Sequence, residues 1–301
     1  MTSPSSASTT AETLPATLRL GAVHLTVSDL DRSVAWYQDT AGLRVQSRGE
    51  ARAALGAGGD DLLVLHENAS AQPPGRHAGL FHVALLYDSR EELAHTVKRI
   101  AAARIGLEGA SDHGVSEAIY LRDPDGIGVE LYSDRPREQW PKPSGGERIG
   151  MFTAPLDLDD LLSTVAGQPP SRHAGPGLTV GHVHLHVGSI SDGLRFYVGL
   201  LGFERMTTMP SAAFVAAGGY HHHLAFNTWR GEGVGPAPSG SAGLRRWTIV
   251  LSSAAEVAVV AERLAVAGVA TTRDDGNAAI VVHDPWGIEL LVTSAGSRVL
   301  T

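Results

Sequence analysis

LGAVHLTVSDLDRSVAWYQDTAGLRV, residues 20–45, and VGHVHLHVGSISDGLRFYVGLLGFER, residues 180–205, are one pattern written twice at a constant offset of 160. His24 falls on His184, and Trp36-Tyr37 on Phe196-Tyr197. Further along, AALGAGGDDLLVLHEN (53–68) matches AAFVAAGGYHHHLAFN (212–227). A weaker copy lies inside each half, GLFHVALLYDSREELAHTVKRIAAARI (79–105) and GLRRWTIVLSSAAEVAVVAERLAVAGV (243–269). Each of the four copies opens on an alternating or apolar strand and turns at Ser or Asp residues suited to capping a helix. An apolar-periodic helix follows and ends at Gly or Ala-Gly. Short strands broken by Gly-Gly or Asp-Pro-X-Gly turns complete the unit. The unit is βαβββ, and the class is α+β.

One such unit cannot cover both faces of its small sheet, so two must combine around one core. Units adjacent in sequence are expected to pair, giving two domains, each a curved mixed sheet enclosing a cup. On that expectation residues 1–17 are a disordered leader, 18–134 the N-terminal pair and 178–295 the C-terminal pair. Residues 135–177 form the linker. Its start, DRPREQWPKPSGGER (134–148), is too rich in Pro, Gly and charge for a strand, and a short helical stretch follows around Pro155 to Ala166. NASAQPPGRHA (68–78) and RGEGVGPAPSGSA (230–242) read as flexible crossings between paired units.

Composition narrows the function. With 301 residues, 43% hydrophobic and 19% charged, each half can bury a core. A formal charge of −8 offers no basic stripe for phosphates, which argues against nucleic acid or an anionic membrane as partner. No apolar run is long enough to span a bilayer and the N-terminus lacks a signal-peptide pattern, so a cytoplasmic protein is expected. A homodimer is the base-rate expectation for assembly. The absence of cysteine removes thiolate zinc sites, disulfides and a cysteine nucleophile, leaving 14 histidines to carry any soft-donor chemistry.

Three residues of the first half suit a metal. His24 and His82 lie in the opening strands of units one and two, and Glu130 in the last strand of unit two. If those opening strands lie side by side, two neutral imidazoles and a carboxylate meet on one face as a facial triad suited to Fe(II) or Mn(II), with positions left open. The bland alternative, two packed histidines and a solvated glutamate, must seat a carboxylate between apolar residues with no cation. GEGVGP at Gly231 lacks the helix start and Lys-Ser/Thr of a phosphate loop.

DHGVSEAIYLRDPDGIGVELYSDRP (112–136) resembles the segment that bears the carboxylate ligand in extradiol enzymes. From about Leu18 to Thr293 the chain resembles the vicinal oxygen chelate superfamily (the glyoxalase, bleomycin resistance and dioxygenase fold). More narrowly, it resembles its catechol 2,3-dioxygenase-like, type I extradiol members. The resemblance implies Glu130 as a ligand, His113 as a substrate-contacting histidine and Tyr120 as the tyrosine beside bound oxygen. It implies an acid–base histidine near His66, with His77 competing. It further implies an oxidoreductase of aromatic catabolism that cleaves a small aromatic diol with O₂ on Fe(II), Mn(II) being the alternative. A glyoxalase-like lyase or isomerase on the same cup, or a metal-free drug-sequestering protein, are the competing readings.

The C-terminal pair departs from the pattern. Arg246-Trp247 stands where His82 stands, Val281 matches Tyr120, and Glu289 follows its Asp-Pro by five residues where Glu130 follows by seven. That displacement amounts to roughly 6.6 Å along a strand. A variant site of His184, His223 and Glu289 is the alternative there. Otherwise His221, His222 and His223 form a polar strand edge or interdomain surface, with Trp229 and Trp247 as core.

Overall fold

In the computed structural model, residues 13–73, 75–143, 145–273 and 278–297 are described. The four units are all present. Unit one runs through strand Val23–Val27, helix Leu30–Asp39 and strands Arg44–Arg48, Arg52–Gly56 and Asp61–Glu67. Unit two has strand Gly79–Tyr87, helix Arg90–Ala102 and strands Gly109–Asp112, Ser116–Arg122 and Gly128–Asp134. Unit three has strand Thr179–His186, helix Ile190–Gly193 widening into a π-helical stretch Leu194–Leu200, and strands Glu204–Met209, Ala212–Ala216 and Leu224–Asn227. Unit four has strand Gly243–Leu251, helix Ala254–Val266 and strands Thr271–Arg273, Ala279–His283 and Glu289–Ser294. Each helix starts on a side-chain cap: Asp29, Ser89, Ser189 and Ser253 each accept a backbone N–H three residues on.

The pairing of units differs from the sequence expectation. The opening strand of unit two runs antiparallel to that of unit three, with Val83 opposite Val183 and His82 opposite His184. The opening strand of unit one pairs antiparallel with that of unit four, with His24 opposite Arg246. One nine-stranded sheet therefore holds units two and three, the other units one and four. Neither 18–134 nor 178–295 closes a sheet of its own. Every unit opens on a strand that can take an antiparallel partner, so chain order alone does not choose between them, and contacts distant in sequence cross each joint. Leu20 pairs with Ile249 at one joint. At the other, Tyr132, Tyr220 and Asp134 form a chain of hydrogen bonds of 2.9 Å.

The segment 135–177 works as a strap. Ala154–Pro155 adds a strand to the edge of unit two, and helix Leu158–Ser163 packs on helix Arg90–Ala102. The two sheets are joined through buried polar pairs. Tyr37 of unit one donates to Asp123 in the Asp-Pro turn of unit two (3.2 Å), and Tyr197 of unit three donates to Asp284 of unit four (2.7 Å). Of the expected leader, the described residues 13–17 are packed on the fold: Leu14 is buried, and its N–H donates to the Gly202 carbonyl at 2.8 Å. Residues 1–12 lie outside the described residues. Among the described residues no helix is long and apolar enough to cross a membrane.

Candidate metal centre and its cup

The helix caps align the four units, and the residue seven positions before each cap is Ala22, His82, His182 and Arg246. In the sheet of units two and three, both of these positions are histidine. Because the two opening strands are antiparallel, His82 lies opposite His184 and His182 opposite Ala84. His82 and His182 are thus diagonal neighbours, a separation that imidazoles can bridge. Glu130 lies beside Ala84 on the next strand, and Tyr120 beside Glu130. The row Tyr120, Glu130, Ala84, His182 crosses the floor of the cup, with small Ala84 leaving the space into which the three donors reach.

Glu130 Oε2 lies 3.0 Å from His82 Nε2 and 3.1 Å from His182 Nε2, and the two Nε2 atoms are 3.2 Å apart. All three side chains are buried. Burial works against the Glu130 anion, yet the facing imidazoles of His182 and His82 outweigh it and hold the carboxyl well below the usual range. Burial also depresses His182, to about 4. Three donor atoms meet with no guanidinium or ammonium beside them among the described residues, and this donor set fits a divalent cation. Ligand bonds of about 2.1 Å meeting at right angles set neighbouring donors about 3.0 Å apart. His82, Glu130 and His182 are the group among the described residues that meets the spacing for a metal.

The expected set of His24, His82 and Glu130 does not come together. His24 belongs to the other sheet, where its Nδ1 lies 3.0 Å from His66 Nε2 and Arg246 is its strand partner. Burial, followed by His66 and the arginines at 246, 52 and 245, presses the His24 pKa down to about 3. His66, placed with His24, is likewise remote from the cup and is depressed to about 4 by burial, then by Arg245 and Arg52. The variant set of His184, His223 and Glu289 is also dispersed. His184 faces the cup but accepts from Asn227 Nδ2 at 2.8 Å, and His223 Nδ1 accepts from the Ala217 N–H. Glu289 pairs with Arg246 in the opposite sheet. Register explains Glu289: Leu290 lies opposite Trp247 as Val129 lies opposite Val83, so Leu291 occupies the place of Glu130 and Glu289 that of Gly128.

His113 and Tyr120 do line the cup. The Phe152 carbonyl is an acceptor only, so His113 Nδ1 carries the proton and donates to it (3.1 Å). His113 Nε2 then accepts from the Tyr120 hydroxyl at 2.7 Å. Burial, then the nearby Glu130 charge, raises the Tyr120 pKa, so it stays protonated. His77 lies outside the cup, where its carbonyl accepts from Arg230.

Three features were legible in the sequence only in part. His182 was visible only as part of GHVHLHV. Its signal is the cap alignment, since it precedes Ser189 by the distance at which His82 precedes Ser89. Of the two expectations for His221 and His222, a polar strand edge or an interdomain surface, the structure shows the second, with both buried. His222 lines the cup against His182 (ring centroids 4.1 Å), and His221 bridges it to Asp134 (2.8 Å to each). Trp247 is core, but Trp229 is 53% exposed at the cup mouth. The cup is a cavity of about 450 Å³. Next to His182, a side chain on Gly181 would meet the Tyr132 hydroxyl at 1.9 Å, so glycine lets that ring pack behind the ligand.

Residues 19–131 match the family model described as Glyoxalase/Bleomycin resistance protein/Dioxygenase superfamily. The chain is 39% identical over 254 residues to catechol-2,3-dioxygenase of Bacillus subtilis (strain 168), covering 83% of this chain and 88% of that protein. Among solved structures, a suspected dioxygenase from Bacillus subtilis subsp. subtilis str. 168 aligns over 95% of this chain and 86% of its own, with TM-score 0.65 and 11% identity. Glyoxalase I from Zea mays aligns over 92% of each chain, with TM-score 0.57 and 17% identity. The last two are likenesses of fold alone. With the first relative matched over most of both sequences, the chain belongs to the Glyoxalase/Bleomycin resistance protein/Dioxygenase superfamily and is an oxidoreductase of its extradiol dioxygenase kind.

Proposed function

We propose that this chain opens the ring of a catechol-type diol beside its paired hydroxyls, using O₂, at a divalent metal held by His82, Glu130 and His182. The observation that carries the reading is the meeting of three donor atoms within 3.2 Å at the floor of a cavity flanked by the Tyr120–His113 pair. Fe(II), or alternatively Mn(II), would supply Lewis acidity toward the two phenolic oxygens and a redox-capable centre for O₂. The ring carbon–carbon bond next to the diol breaks and both oxygen atoms remain in the semialdehyde acid, so catechol plus O₂ balances with no external reductant.

The residues of the chain move the protons and shape the space. The resting Tyr120 hydroxyl points its proton at His113 Nε2 and its lone pairs elsewhere. It accepts the proton leaving the diol while passing its own to His113, whose Nδ1 side reaches the partly exposed Phe152 and Thr153. With His113 doubly protonated, the Tyr120 O–H is free to donate to developing negative charge above the floor. His222 closes the cup behind His182. The test is an oxygen electrode with anaerobically purified, Fe(II)-loaded protein. Stoichiometric O₂ uptake on adding a catechol, with a ring-opened product by mass spectrometry, supports the reading. Metal-dependent turnover of a hemithioacetal without O₂ uptake replaces it with the lyase reading, and a metal-free protein that binds catechol unchanged replaces it with sequestration.

A further inference from the structure

The cup is larger than a catechol needs, and its walls mix imidazoles and hydroxyls near the floor with apolar side chains toward the mouth. A cavity of roughly 150 Å³ holds a benzene; this one is about 450 Å³. Among the described residues lining it, Glu130 on the floor is the one carboxylate, and there is no lysine or arginine. A carboxylate or sulfonate on the substrate ring would lose water there with no fixed cation to meet it, which is costly. Arg230, adjacent to Trp229 in sequence, turns away to donate to the His77 carbonyl.

The mouth adds an independent observation. Phe152, Met209 and Trp229 are 49%, 46% and 53% exposed. They come from three separate segments, the strap, the strand Glu204–Met209 and the turn after Leu224–Asn227, yet all line this one cavity. Single exposed apolar side chains need no explanation, whereas several gathered at one opening mark a binding groove. The Trp229 indole N–H donates to Ser211 Oγ (3.2 Å), and its ring stands edge to face against Phe81 at 5.2 Å. Phe214 continues the same wall toward the floor.

We propose that the preferred diol carries a neutral, apolar ring substituent, held at the mouth between Trp229, Met209 and Phe152 while the diol lies on the floor. The inference rests on the ring-cleavage reading and goes beyond it by naming the substituent. Steady-state kcat/KM of the full-length, Fe(II)-loaded enzyme is compared for 3-phenylcatechol and 4-tert-butylcatechol against 3,4-dihydroxybenzoate and 3,4-dihydroxyphenylacetate. The apolar pair is expected to be favoured at least tenfold, a difference within reach of pocket contacts of this kind. Met209→Arg, which puts a cation on the half-exposed lip, is expected to reduce that preference at least tenfold. Equal or better turnover of the carboxylated diols by the wild type, or an unchanged ratio in M209R, overturns the proposal. Calorimetry under anaerobic conditions with 2-hydroxybiphenyl and with salicylate separates it from the parent reading. If no catechol consumes O₂, ring cleavage fails, and the substituent site still stands only if the biphenyl binds at least tenfold more tightly than salicylate.

Discussion

Replacing His182 and His24 separately tests which histidine of the repeat holds the metal. His182→Ala leaves His82 and Glu130 as a two-residue site. Losing an outer partner of a metal ligand already costs about 10–100-fold in affinity. Losing a ligand outright should cost more than 100-fold, at least about 2.7 kcal/mol. Glu130 also keeps one imidazole where it had two, and breaking a buried charged hydrogen bond of this kind costs about 1.5–3 kcal/mol. His24→Ala removes a single contact between neutral rings, His24 to His66 at 3.0 Å in the other sheet, worth about 0.5–1.5 kcal/mol of stability. Metal analysis by mass spectrometry on anaerobically purified protein, with a thermal melt beside it, reads both effects. Expected are a metal-to-protein ratio near one and a small loss of melting temperature for H24A, and a ratio near zero for H182A. An H182A protein that keeps its metal, or an H24A protein that loses it, refutes the diagonal pairing of His82 with His182.

Asp123 is buried, and burial raises its pKa from 3.8 to about 6. The folded state therefore holds that proton more tightly, and the associated stability is full below about pH 4 and is lost as pH rises through about 6, by up to about 3 kcal/mol. Asp123→Asn keeps the Oδ1 that accepts from the Asp125 and Ile127 N–H groups, so denaturant melts should show a flatter pH 4–6 profile and equal or greater stability at pH 7; an unchanged slope rules out the buried-acid cause. In Gly128→Ala the new Cβ would meet the Phe81 carbonyl oxygen at 2.1 Å beside His82, so a loss of about 1–3 kcal/mol is expected together with weaker metal retention. Full metal content and an unshifted melt would contradict that. Tyr120→Phe should keep its metal but lower kcat by about 10²–10⁴-fold with KM little changed, read on the oxygen electrode; kcat within threefold of wild type removes the tyrosine from the proton path.

The unit was legible because its signals are local. The strand, the capping Asp or Ser and the apolar helix repeat in each copy, and all four caps form as their residues imply. Glu130, His82, His113 and Tyr120 were legible for the same reason, since they lie within one unit and their strand registers follow from its turns. The partner of that unit was not legible. Adjacent elements pair roughly two-thirds of the time, and nothing local distinguishes the edge of unit one from that of unit three. The choice is made over long range, by the strap 135–177 and by contacts such as Tyr132 to Tyr220. His24 shares the opening strand of its unit with a metal position, as His82 does, but it stands five residues before its helix cap where His82 stands seven, and His184 likewise stands five before its own. Neither His24 nor His184 occupies the ligand position, which lies two residues earlier. The rim residues Phe152, Met209 and Trp229 carry no motif and become a group only when three segments meet.

The two sheets divide the repeat by charge. Across the floor of the metal cup run Tyr120, Glu130, Ala84 and His182. The matching row of the other sheet is Val281, Leu291 and Thr248, with the Thr248 hydroxyl donating to the carbonyl of Ala22. No donor remains on it. One position along, Arg246 stands at the place of His82 and reaches Glu289 at the place of Gly128, so a covalently fixed guanidinium meets the carboxylate there. A second dication would be repelled by that arginine and by Arg52 and Arg245, the same groups that add to burial in lowering the pKa of His24 and His66. Among the described residues, a buried carboxylate facing two imidazoles is therefore found in the sheet of units two and three. Its ligands come from both halves of the chain, His82 and Glu130 from the first and His182 from the second. Any path that pairs unit one with unit two, as chain order suggests, would put Ala22 where His182 belongs and leave Glu130 buried with one imidazole. The crossed pairing is thus a condition for the site and not an incidental feature of the topology.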